Sequence, residues 1–171
     1  PSSPLEQAAR LAVEEINQAS GTGGLPPARE GGKARPLVLL ACDGATDPLG
    51  ASRHLVDVLH VPAIVGPTSA ERVVEVTQQV SAPGGSLLLS PTAQASAITN
   101  LSDVDLTWRA VPSDAQRAKL VIQQLNDLET LLKATRALPA VKLGVVYGTD
   151  ASGTSVRDAI TGKLILNGRF L

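Results

Sequence analysis

Methionine is absent from the chain, cysteine occurs once, and no apolar run approaches the length of a membrane span. Without methionine, Pro1 is not an initiator, so the expectation is a chain processed, cut or excerpted at its front. A single cysteine excludes an internal disulfide. Cys42 closes the apolar run "PLVLLAC", which predicts a buried, inert thiol and gives no reading of compartment. That run is far shorter than the roughly 20 residues of a spanning helix. No charged-then-apolar leader opens the chain, so this segment is expected neither to span a bilayer nor to carry its own export signal. An excess of positive charge is also lacking. The 15 Lys and Arg are interspersed with 16 Asp and Glu, for a net charge of -1. That balance offers no basic face for a phosphate backbone and no polybasic segment for lipid headgroups, so nucleic acid is not an expected partner.

What is present is a chain of 171 residues, 43% hydrophobic and 18% charged, enough for one full domain with its own core. Strand-like runs alternate with helical patterns. "PLEQAARLAVEEINQ" places Leu5, Ala8, Ala9, Ala12 and Ile16 on one helical face, with Ser3 as cap, Pro4 in the first turn and Glu6 completing a capping box. "ASGTGGLPPAREGGKA" has no period and reads as an exposed loop. "RPLVLLACD" predicts a buried strand, followed by a helix opened by Asp47 and Pro48, with Ser52, Leu55, Val56 and Leu59 facing inward.

"PAIVG" is the next strand, and "SAERVVEVTQQV" the next helix, with Val73, Val76, Thr77 and Val80 on its inner stripe. "GSLLLS" predicts another strand, and "PTAQASAIT" no more than a turn or two of helix. "LTWRAV" then precedes the longest helix, opened by Ser113 and Gln116, with Ala118, Val121, Ile122, Leu125, Leu128 and Leu132 on one face. "AVKLGVVYG" predicts a fifth strand and "TSVRDAITGKLI" a last helix. Strands separated by helices of this length cannot pair as hairpins, so the expected class is α/β, a doubly wound parallel sheet with helices on both faces. Such a sheet normally opens on a strand; this chain opens on a helix, and an upstream first strand is expected to be missing.

Parallel sheets place ligand sites at the carboxyl ends of their strands. Two such ends carry nearly the same text, "IVGPTSA" (64–70) and "LLSPTAQ" (88–94), so adjacent strands would present small hydroxyls and free amides to one crevice. Amides at a helix start favour an anion such as a carboxylate. Thr68 with Glu71 also forms an S/T-x-x-E capping box, which accounts for the threonine by helix initiation alone. Recurrence of Pro-Thr after the second strand, where helical period is poor, favours the pocket reading for Thr92 and Gln94.

Catalytic readings find less support. His54 and His60 lie six apart, off the i, i+4 face of a helical metal pair, with no cysteine or carboxylate cluster to complete a site. Ser69 and Ser90 lack the G-x-S-x-G elbow of a hydrolase nucleophile. "GTGG" near 23 and "ASGTS" near 153 lack the spacing of phosphate loops. Asp43 lacks the acidic companions of a phosphoacceptor site and reads as a solvated or capping residue.

Six ordered segments, "AARLAVEEINQA", "CDGATDP", "AIVGPTSA", "LLLSPTAQASAIT", "TWRAVPSDAQRAK" and "LGVVYGTDASG", together resemble the type I periplasmic binding proteins. These include the branched-chain amino-acid binding proteins of bacterial ABC importers and related receptor ectodomains. The resemblance covers nearly the whole chain. It implies a Rossmann-like lobe, with residues 1–112 as an amino-terminal ligand-binding lobe lacking its first strand, 113–139 as a long helix and crossing region, and 140–171 as an incomplete start of a second lobe.

It further implies a non-enzymatic protein that closes on a small polar ligand, an amino acid or similar, held by Thr68, Ser69, Ala70, Thr92, Ala93 and Gln94 and, from the second lobe, Ser152. Three positions depart from the amino-acid-binding pattern: Ala70 and Gln94 replace hydroxyl residues, and Ser152 replaces an aromatic. No cofactor or metal is implied. The implied partners are the ligand and a membrane permease or receptor. The implied location is periplasmic or extracellular, with any lipid anchor lying upstream. Exposed apolar surface beside the missing strand would also favour self-association through the sheet edge. Two other readings are a receptor ectodomain or regulator effector domain of the same fold, and an enzyme on a doubly wound sheet, for which no base, nucleophile or cofactor loop is found.

Overall fold

Local capping starts nearly every helix of this chain. The computed structural model describes residues 3–19 and 23–171, which fall into two compact units, one within residues 1–43 and one comprising Gly44–Leu171. In the first, α1 (Pro4–Ala19) begins where Ser3 Oγ accepts the Glu6 amide at 3.2 Å, and Glu6 pairs with Arg10 at 2.7 Å. The predicted inner face of α1 is not covered: none of its residues is buried, and Leu5 and Ile16 are exposed. Asn17 anchors the chain beyond the loop, donating from Nδ2 to the Leu37 carbonyl at 2.9 Å and accepting the Leu37 amide on Oδ1 at 2.8 Å. Between them Leu25 and Arg35 form an isolated antiparallel bridge. Part of the predicted loop, residues 20–22, lies outside the described residues.

The strand expected over "RPLVLLACD" does not form. An apolar run becomes a strand only when a neighbour takes its main-chain groups, and residues 36–43 have no such partner strand among the described residues. The same cause overturns the expected burial of Cys42, whose side chain is exposed.

In the second unit, α2 (Pro48–Arg53) is capped by Asp47, whose Oδ1 accepts the Gly50 amide at 2.8 Å. Its continuation, His54–Val58, winds more widely, with the Leu59 amide reaching back to His54 O at 3.0 Å. Ser52 and Val56 are buried as expected, while the wider turn carries Leu59, expected inside, off the stripe to 44% exposure. The sheet follows: β1 (Ala63–Val65), α3 (Ala70–Val76, continuing as a wide turn through Ser81), β2 (Leu87–Ser90), a 3-10 turn (Ser96–Asn100) and β3 (Thr107–Arg109). The strands run parallel in the order β1-β2-β3, with Ile64 opposite Leu88 and Leu88 opposite Thr107.

The inner stripe of α3 is as predicted: Val73, Val76, Thr77 and Val80 are almost wholly buried against Leu88, Ile64, Val56 and Ile98. Each such aliphatic side chain contributes roughly 1.5–3 kcal/mol of burial. Thr77 is tolerated in this apolar layer because its hydroxyl meets that of Thr107 at 2.9 Å. On β3, Trp108 points away from this core, 57% exposed, with its indole N–H donated to Asp105 O at 2.8 Å.

The long helix α4 (Asp114–Arg136) opens with the predicted capping box: Ser113 Oγ accepts the Gln116 amide at 3.3 Å, and Gln116 Oε1 accepts the Ser113 amide at 2.9 Å. Ala118 is buried and Val121 and Ile122 half-buried where they meet Ala159 and Ile160 of α5 (Ala151–Ile160). Leu128, expected on the same inner face, is exposed. The predicted strand at 140–148 is irregular, with Val146 fully exposed and Val141 exchanging hydrogen bonds with the Asn167 amide side chain. In its place a short antiparallel hairpin, β4 (Ile165–Leu166) with β5 (Arg169–Phe170), follows α5. The class is α/β with a parallel sheet.

Candidate functional site

The carboxyl ends of β1 and β2 lead into two turns that are stitched to one another. Ser90, fully buried at the end of β2, donates its hydroxyl to Pro67 O at 2.7 Å and accepts the Ala93 amide at 3.2 Å. Thr92 Oγ1 donates to Thr68 O at 3.0 Å. The two Pro-Thr texts are therefore one unit, and the Thr92 hydroxyl commits its proton to that contact.

The cap of α3 differs from the sequence expectation by one residue. Ser69, not Thr68, is the N-cap: it sits in extended backbone and its Oγ accepts the Arg72 amide at 3.4 Å. Starting one residue later moves Glu71 out of the position a capping box requires, and its carboxylate goes elsewhere: Oε1 accepts the Ala151 amide, the first of α5, at 2.6 Å. Ala70 and Ala93 are buried, while Thr68, Ser69 and Thr92 are exposed.

Gln94 is tied on both sides. Its carbonyl accepts the Asp114 amide at 2.8 Å, and its side-chain Oε1 accepts from the Arg117 guanidinium. Arg117 also reaches Asp114 Oδ1 at 3.3 Å, and Asp114, almost fully buried at the start of α4, has Oδ2 without a partner. Arg109 holds the segment after Gln94, donating to Ala95 O at 3.1 Å and to the Thr99 hydroxyl.

Ser152 lies in the first turn of α5, which is capped by Asp150 accepting the Gly153 amide at 3.0 Å. Gly153 is required here, since a Cβ would stand 2.2 Å from Gly148 O. The Glu71 contact and a second one, the Ser96 amide donated to Ser155 Oγ at 2.9 Å, set this turn beside the two stitched turns. All seven predicted site residues thus fall on three neighbouring segments. A cavity of about 400 Å³ runs between α5, the start of α4 and the 3-10 turn, lined by residues including Ser96, Ala115, Ala151, Thr154, Ser155 and Lys163. On α5, Arg157 lies 4.9 Å over the Tyr147 ring and donates to its hydroxyl at 3.1 Å. That hydrogen bond, then the one to Asp158, raises the Arg157 pKa above its ordinary value. Ser90, Glu71, Ser155 and Arg117 were not read from the sequence as site residues; Glu71 was visible only as a supposed capping acid.

Among the described residues no group of His, Cys, Asp and Glu could hold a metal ion, and both histidines are exposed. No described helix is long and apolar enough to cross a membrane. No family model and no curated protein matches the chain. Among solved structures, an ABC transporter substrate-binding protein from Desulfitobacterium hafniense superposes with a TM-score of 0.69 at 18% identity, covering 93% of this chain and 42% of its own. Over that length the two chains share a fold. A second such structure from the same organism, in complex with Leu, gives a TM-score of 0.65 at 20% identity over 88% of this chain and 39% of its own. The chain therefore spans about two fifths of the length of these structures.

Proposed function

We propose that residues 1–112 form most of the first lobe of a solute-binding protein, 113–139 the crossing, and 140–171 the start of the second lobe. In this reading the protein captures a small polar ligand, an amino acid or a close analogue, outside the cytoplasm and presents it to a membrane permease or a sensor, without catalysis. The observation that carries it is convergence: the turns after β1 and β2 and the first turn of α5 meet at one end of a parallel sheet whose fold is shared with a leucine-complexed protein. Thr68, Ser69, Thr92, Gln94 and Ser152 then supply polar contacts beside the buried Ala70 and Ala93. Mechanism in such a protein lies in closure, with ligand binding the closed form more tightly than the open one.

The test is calorimetry and thermal melting of the full-length protein against the 20 common amino acids, leucine first. A true ligand at about 100 times its Kd should stabilise by about 2.7 kcal/mol, several degrees in Tm, and Gln94→Ala should weaken its binding. A flat response across all amino acids sinks the amino-acid reading.

A further inference from the structure

We propose that Glu71, with the Ser96–Ser155 pair, forms a releasable clasp that sets how tightly the start of α5 sits against the ligand turns. The inference rests on the lobe assignment above and adds a positioning residue that touches no ligand. Two polar contacts join segments 80 and 59 residues apart: the Ala151 amide to Glu71 Oε1 at 2.6 Å, and the Ser96 amide to Ser155 Oγ at 2.9 Å, with Ser155 Oγ also donating to Ser96 Oγ at 3.3 Å. The first is charge-assisted and uses an amide that has no acceptor within its own helix.

The two ends of α5 are held by different physics. At its far end Ala159 and Ile160 are buried against Ala118, Val121 and Ile122 of α4, an apolar contact that resists separation. At its near end Ala151 sets only a methyl group against the sheet core, and the cavity of about 400 Å³, which runs along α5 as far as Ala159 and Lys163, is bordered there by Ser96, Thr154 and Ser155, with little large apolar surface to lose on parting. α5 is thus a lever, pivoted at Ile160 and clasped at Ala151. Ser152 and the Tyr147–Asp150 turn travel with the clasped end.

Crosslinking reads the clasp directly. In a Cys42→Ser background, Ser96→Cys with Ser155→Cys puts two thiols where the hydroxyls meet; this replaces the serine contacts equally in every variant, so the rate of disulfide formation in a fixed redox buffer reports the closed fraction held by the Glu71–Ala151 arm. Glu71→Ala should slow crosslinking roughly tenfold, the effect of losing a charge-assisted bond, and Glu71→Gln, which keeps a carbonyl acceptor, should slow it less. Ala151→Pro removes the same amide at a helix position that accepts proline, preceded by Asp150 in the extended backbone proline prefers. It should slow crosslinking as much as Glu71→Ala, and combining the two should add nothing further. Equal rates in all variants, or additive losses, overturn the clasp whatever leucine does. If the rates follow the expected pattern and saturating leucine changes none of them, the clasp stands and the leucine-binding reading falls.

Discussion

Ser69 shows how one hydroxyl can be assigned to two tasks. It is exposed beside the two stitched turns, where the proposed function places ligand, yet its oxygen also caps the first turn of α3. Ser69→Ala should therefore cost about 1 kcal/mol of stability, the usual loss of a serine cap, in chemical denaturation of the ligand-free protein. Thr68→Ala, whose main contribution is a backbone carbonyl accepting from Thr92, should stay within about 0.5 kcal/mol of the parent. A reversed order would return the cap to Thr68. The residue types at this site were legible because Pro-Thr recurs at two strand ends. Their partners were not: the Ser90 stitch spans 23 residues, the Arg117 hold on Gln94 another 23, and the Glu71 reach to Ala151 80, distances over which no local pattern carries information.

At the scale of elements, α4 is fastened near its middle by Glu129. Its carboxylate accepts Lys133 Nζ at 2.6 Å and the Asn167 amide, in the β4–β5 turn, at 2.8 Å. The Lys133 hydrogen bond first, and the Asn167 amide second, hold its pKa below the ordinary 4.5. The unfolded chain thus binds this proton more readily than the folded one. The fastening is complete above about 4.5 and is lost as pH falls through the lower folded value. An NMR titration should show the Asn167 amide moving with a midpoint below 4.5, and Glu129→Gln should abolish that titration.

Helices were the readable elements because capping is local: Ser3, Asp47 and Ser113 each act within three residues. Strand status is not local. "LLLS" and "VVYG" look alike in composition, but only the first lies between two neighbours that complete its ladder.

Across the molecule the buried apolar residues are concentrated in one place. Both hydrophobic clusters, from Val56 to Ile98 and from Ala118 to Ile160, lie within Gly44–Leu171, while α1 buries none of its residues. A chain comprising residues 44–171 should therefore fold by itself, with a single cooperative thermal transition by circular dichroism. A broad, non-cooperative melt would show that residues before Gly44 complete the core. The order of alternating elements was sufficient to read the α/β class and its parallel sheet, since parallel neighbours require long crossovers.

Trp108 is the sole tryptophan of the sequence, and it stands half in solvent on the last strand of the three-stranded sheet. Its emission is consequently an unmixed optical signal from one edge of the protein, red-shifted and open to quenching by iodide while that edge is bare. Whatever lays a further strand or a binding partner beside β3 would announce itself as a blue shift and a loss of quenching, with no label attached.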